Sequence, residues 1–132
     1  MVRSVADVRT LTCALYHIFY DAINAIKPQP LTITCESGIS VDWGGLYLVC
    51  GMTMGFLGFR VNDIVAGTDK PLATLPTGLG TSHMSFVAIN NYGVNGVIGQ
   101  IWYNNFTGEL ILTPYQSVSA ARVCFVFLGK TD

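Results

Sequence analysis

The stretch from Leu72 to Leu112, LATLPTGLGTSHMSFVAINNYGVNGVIGQIWYNNFTGELIL, holds a single charged side chain, Glu109. That constrains the fold sharply. A membrane helix needs about 18 consecutive apolar residues, and here Gly, Asn, Pro and Thr interrupt the run every few positions. The order of signals is a Pro/Gly turn, a strand, an Asn/Gly loop, a strand, a tight Asn/Thr/Gly turn and a further strand. An uncharged β segment rich in Asn and aromatic residues has two natural uses. It is buried between subunits, or it offers a neutral surface to sugar.

The rest of the 132-residue chain leans the same way. Charged residues make up 11% and hydrophobic residues 51%, against a usual charged fraction of about 25%. Mean hydropathy is +0.47. A chain this apolar, without a transmembrane helix, is expected to hide surface in an oligomer. Residues 1–70 carry eleven of the fifteen charged side chains and residues 71–132 carry four. The net charge is -1, and Arg3, Arg9, Lys27, Arg60, Lys70, Arg122 and Lys130 are scattered. No basic stripe is present to release counterions from nucleic acid, so nucleic-acid binding is not expected.

Cys13, Cys35, Cys50 and Cys124 lie far apart, with no CxxC and no Cys/His cluster. No zinc site is expected, and the thiols read as reduced, buried small hydrophobes of a protein folded in a reducing cytoplasm. Asp7 and Arg9 fall where a signal peptide would need its apolar core. An extracellular role would then be reached by another route, such as release from a lysed cell.

Ser4 to Lys27 predicts a helix, with Ser4 as N-cap, Asp7 three residues on, and Pro28 and Pro30 as the stop. Val8, Leu15 and Ala22 recur every seven residues. Leu11, Ile18 and Ala25 follow each by three, giving an a/d seam that Thr12, Phe19 and Ile26 widen. Two placements stand open: a helix on its own domain, or a parallel bundle at the axis of a trimer. The first 30 residues thus form an assembly stem and linker, and residues 31–132 a head domain.

From Leu31 the period changes to two. Strands are predicted at Leu31–Glu36, Leu46–Thr53, Phe56–Asn62, His83–Ile89, Val97–Tyr103, Glu109–Thr113 and Ala120–Leu128. Turns are predicted at Ser37–Ser40, Asp42–Gly45, Gly67–Asp69, Leu75–Gly78 and Asn104–Gly108. About eight short strands with turn signals every eight to twelve residues predict a mainly β fold, an antiparallel β-sandwich of jelly-roll type behind an N-terminal α-helix.

The order of pieces across residues 31–128 resembles the C-terminal head modules of bacteriophage tail fibres and baseplate receptor-binding proteins. The pieces are Leu75-Pro76-Thr77-Gly78, then Met84 to Ile89, then Gly99-Gln100-Ile101-Trp102-Tyr103. Thr107-Gly108-Glu109-Leu110-Ile111 and the apolar strand Val123 to Phe127 complete them. Where that family usually carries Arg-Pro after the first turn, this chain has Leu79-Gly80-Thr81. The resemblance implies a homotrimeric head on a virion, with a helical stem and other virion proteins as partners. Phage head-fibre and capsid-decorating proteins share this design.

The residues do not assemble a catalytic constellation. Nucleophilic catalysis needs a nucleophile, a base and an orienter, and the two histidines stand apart from such a set. His17 is mid-helix, and His83 lies between Ser82 and Met84 without a G-x-S-x-G elbow. Glu36, Asp42, Asp63, Asp69 and Glu109 all adjoin turn signals, where carboxylates are normally solvated. No enzyme, metal or cofactor is expected, and no membrane insertion. Sugar contact is better supported, because an aromatic face covers the apolar side of a pyranose while amides pair its hydroxyls. The candidates are Trp43, Tyr92, Asn95, Trp102, Tyr103 and Asn105. Alternation along the strand puts Trp102 on one face and Ile101 and Tyr103 on the other. Two functions follow as expectations: recognition of a host surface glycan without catalysis, or a purely structural trimer.

Overall fold

The computed structural model describes residues 5–90 and 96–131, the side chains of residues 5–7 and 25 excepted. Among these residues one helix, α1 (Val5–Ile26), precedes nine strands: β1 (Gln29–Pro30), β2 (Thr34–Cys35), β3 (Ser40–Val49), β4 (Met52–Ile64), β5 (Lys70–Thr74), β6 (Met84–Asn90), β7 (Gly96–Tyr103), β8 (Glu109–Pro114) and β9 (Val118–Lys130). They form one sheet in the order β1-β3-β4-β9-β6-β7-β8-β5-β2, and every pairing is antiparallel. The predicted class, mainly β with an N-terminal helix, is what the chain adopts.

The sheet curls around its own inner face. Strand alternation sends Leu57, Phe59 and Val61 of β4 inward, with Val123, Phe125 and Phe127 of β9. From the other half come Ile101 and Tyr103 of β7 and Leu110 and Leu112 of β8, and all belong to one core. Ring contacts cross between the halves. Phe86 lies 4.8 Å from Phe127, and Tyr103 meets Phe127 edge-on at 5.3 Å. Each large apolar side chain so buried contributes about 1.5–3 kcal/mol, which helps close the curl between β6 and β9. Among the described residues those strands pair through Ile89 with Cys124 and Asn90 with Val123.

Three predicted elements move. The strand expected at Leu46–Thr53 contains the hairpin turn itself, because Val49 pairs with Met52 around Cys50 and Gly51. Both turn residues have positive φ, 50° and 73°, as a two-residue type I′ turn requires. The turn expected at Asp42–Gly45 lies inside β3, where a bulge between Val41 and Trp43 absorbs the irregularity. The strand expected at Leu31–Glu36 shortens to two residues, which pair with β5 at the far edge. Its start belongs to the opposite edge, where Leu31 N–H donates to Leu46 O at 2.9 Å. Residues 29 and 30, assigned to the linker, join the sheet against Leu48 and Tyr47.

Helix α1 ends where Pro28 excludes helical geometry from the residue before it; Lys27 N–H donates to Asn24 O at 3.2 Å. Residues 8–24 and 26 are all exposed. No described residue covers the apolar side of this helix, which includes Leu11, Ile18, Phe19 and Ile23 at 49–64% exposure. No described helix is long and apolar enough to cross a membrane.

Candidate functional site: an apolar outer face

An antiparallel sheet with one covered face normally shows polar residues on the other. Here the outer face is apolar too. Outward positions alternate with the core along β3, β4 and β9, and the register lines them up. Tyr47 faces Met54, which faces Leu128, and Phe56 faces Val126 in the next row. Beyond them Cys124 pairs with Ile89, and Ile89 with Val97. Phe56 is 53% exposed, Val126 68% and Leu128 56%.

Two grooves run over this face. One, of about 410 Å³, lies where β6 and β9 part and is lined by Trp43, Phe56, Val87, Ile89, Cys124 and Val126 among others. The second, of about 630 Å³, is lined by Tyr47, Met54, Phe56, Val126, Leu128 and also Pro28, at the foot of the helix. Phe56 and Val126 border both, so the grooves form one continuous apolar surface.

Trp43 holds the middle of it. The bulge in β3 sets it opposite Gly58, and the absence of a side chain there lets the indole lie against the strand. A Cβ on Gly58 would stand 2.6 Å from the indole Cε2. The ring meets Phe56 at 5.1 Å between centroids and lines the same groove as Cys124, whose thiol donates to Arg122 O at 3.6 Å. Burial pushes the Cys124 thiol pKa above its ordinary value, and the Arg122 charge partly offsets this. Beside this patch Asp42 accepts from Arg122 Nε at 2.6 Å and from Arg60 at 3.2 Å. Those three side chains leave the end of the face with one net positive charge.

Comparison with protein-family models, with curated proteins and with solved structures finds no match. The surface must therefore be interpreted from its own chemistry.

Of the four predicted sugar-contact residues that are described, two turn into the core. Tyr103 is fully buried. Its hydroxyl donates to Pro76 O at 2.6 Å and accepts from Leu79 N–H at 3.3 Å. Asn105 is 3% exposed, and its Oδ1 accepts from Gly80 N–H at 3.0 Å. Both are corrections to the candidate set: these polar groups fasten the 75–80 turn to the β7–β8 hairpin. Trp102 does face outward, at 44% exposure, between Ser85 and Ile111 on the neighbouring strands. Trp43 lines the smaller groove among mostly apolar side chains, with Ser85, the cross-strand partner of Trp102, in the same lining. Tyr92 and Asn95 lie outside the described residues.

Of the predicted helix seam, Val8, Leu11, Leu15, Ile18 and Ala22 are exposed in the chain; the side chain of Ala25 is outside the description. His83 meets Phe106 at 5.6 Å between centroids. Among the described residues no group of three His, Cys, Asp or Glu could hold a metal ion.

Sequence reasoning missed Phe56, Met54, Tyr47, Val126 and Ile89. The signal was present in Ala120–Leu128, whose near-continuous apolar run marks a strand covered on both faces.

Proposed function

We propose that this chain is a non-enzymatic structural component of a bacteriophage virion, a fibre or capsid-decorating protein that works as a homotrimer. The observation that supports this most is the apolar outer face of the sheet together with the uncovered apolar side of α1. A surface of this kind on β3, β4 and β9 suits contact with protein rather than with a hydrated sugar. The two halves of the curled sheet, β1-β3-β4-β9 and β6-β7-β8-β5-β2, are read as the layers of a jelly-roll-like sandwich. The trimer and the virion location come from the resemblance of residues 31–128 to phage fibre heads. The chain would fold in the host cytoplasm and meet the outside on the released particle.

The test is solution mass combined with location. Light scattering is expected to give about 43 kDa, three times the 14.3 kDa chain, and an antibody to the chain is expected to label intact particles. A dimer would remove the trimer, and particles without the chain would remove the virion role.

One observation favours a second function, recognition of a host surface glycan. Trp102 is exposed on the outer face next to Gln100, Ser85 and Thr113, an aromatic plate with polar neighbours. Weak sites of that kind gain from the multivalency of a trimer. Quenching of tryptophan fluorescence by host polysaccharide, abolished by Trp102→Ala, is the expected result for this function. Quenching that survives the substitution would exclude Trp102 as the contact.

A further inference from the structure

The two uncovered apolar surfaces on this chain differ in shape: one is a helix and the other is grooved. The apolar arc of α1 is wider than a coiled-coil seam. Val8, Leu11, Leu15, Ile18 and Ala22 occupy a and d positions, but Tyr16, Phe19, Ile23 and Ile26 stand beside them and are 56–64% exposed. A strict a/d seam buries two positions in seven, whereas a broader stripe belongs to a helix lying on a core surface. A bundle of seams alone would leave this aromatic flank in water.

The outer face has the size and length to cover it. Tyr47, Met54, Phe56, Val126, Leu128 and Ile89 are 39–68% exposed, as are Val87 and Val97 at 56% and 55%. At roughly 150–200 Å² per fully exposed side chain of this size, they present roughly 600–800 Å² of apolar surface. That is at or above the largest patch of a typical monomer, about 300–600 Å², and close to the ~800 Å² that each partner gives to a stable interface. The strip from Met54 to Arg60 runs about 20 Å at ~3.3 Å per residue. The helix segment from Leu11 to Ile26 spans about 22 Å at ~1.5 Å per residue.

The helix does not cover its own groove. Only Lys27 and Pro28 separate α1 from β1, and β1 enters the sheet at Leu48, next to the β3–β4 turn. The chain bends at Lys27, but residues 8–24 and 26 of the helix are all exposed. Pro28 borders the larger groove while no residue of α1 lines it, so each helix starts from the edge of one groove without lying in it.

We infer that the outer groove around Phe56 and Val126 receives helix α1 of a second copy of this chain. The contact is heterologous, a helix on one side and a sheet face on the other, and such contacts close into rings when the rotation allows. A three-membered ring satisfies every helix and every groove. This rests on the self-assembly proposed above and specifies how it is built.

The test is a double variant, Leu15→Cys with Val126→Cys, made with the exposed Cys13 and Cys50 replaced by Ser, which places thiols at the middle of the stripe and on the ridge between the grooves. The full-length protein is treated with a flexible bis-maleimide, and linked peptides are mapped by mass spectrometry. Inter-chain links between positions 15 and 126 are expected. Links of 15 to 15 only, or no link at position 15 within an intact oligomer, would overturn the docking and leave the oligomer standing. A protein monomeric before cross-linking would overturn both. Val126→Glu gives an independent check, since its side chain points to solvent in the single chain. Loss of the oligomer with an unchanged circular dichroism spectrum is expected. An oligomer that tolerates the charge would exclude the groove as its interface.

Discussion

Tyr103 shows how one side chain can suggest a ligand site and serve the fold instead. The sequence places it among Trp102, Asn104 and Asn105, a neighbourhood suited to sugar. The strand period turns it inward, and its hydroxyl then satisfies Pro76 O and Leu79 N–H. Tyr103→Phe removes that hydroxyl from the buried Leu79 N–H and the half-buried Pro76 O. A loss of about 1–3 kcal/mol is expected, measured by chemical denaturation. An unchanged midpoint would mean that the bonds contribute nothing to stability. Cys124 offers a second measurement. Burial is the largest influence on its thiol and raises its pKa above 9.0. Its alkylation rate is expected to reach half-maximum above that pH, after the exposed Cys13 and Cys50 have reacted. The linkage has a definite sign. The folded chain holds this proton where the unfolded chain has released it, so the contribution is complete below about pH 9 and is lost as pH rises through the folded pKa. A half-maximum below 9 would contradict the burial.

The β3–β4 hairpin is the element that the sequence concealed most. Type I′ turns are usually written Asn-Gly or Asp-Gly, and Cys50-Gly51 carries neither signature. Apolar residues on both sides therefore merged into one apparent strand. Cys50 sits at φ 50°, where a residue other than Gly or Asn is strained. Cys50→Asn is expected to raise stability by about 0.5–1 kcal/mol, read from the thermal midpoint, and a fall would contradict the turn type. Other elements were legible because their local signals agree. Helix α1 has periodicity and a proline stop, and β6, β7 and β8 have clean boundaries at Gly and Asn. In the Asn104–Gly108 turn, Asn104 Oδ1 accepts from Phe106 N–H at 2.9 Å and Thr107 N–H at 3.2 Å, the backbone role for which Asn is favoured there. The bulge at Asp42 was not legible. There Asp42 meets Arg60 and Arg122, which are distant in sequence and reach the same carboxylate only in the folded sheet.

At the scale of the molecule, low charge and high hydropathy pointed to hidden surface without separating core from outer face; Val87, Ile89 and Val97 of the uncharged stretch do face outward. The uncharged stretch 72–112 mostly builds the core through Leu72, Ile98, Ile101, Leu110 and Leu112. The apolar surface left over belongs largely to β3, β4, β9 and α1. Composition counts both kinds of burial alike, and only the register separates inward from outward positions. A single copy of this chain exposes two apolar surfaces, and copies of the chain are what the proposed assembly uses to cover them. The most direct measurement is the solution mass of the full-length protein by light scattering, followed down to micromolar concentration. A mass of about 43 kDa, three times 14.3 kDa, that holds on dilution is the expected result. A mass of 14.3 kDa at all concentrations would contradict it, because both surfaces would then stand open in water.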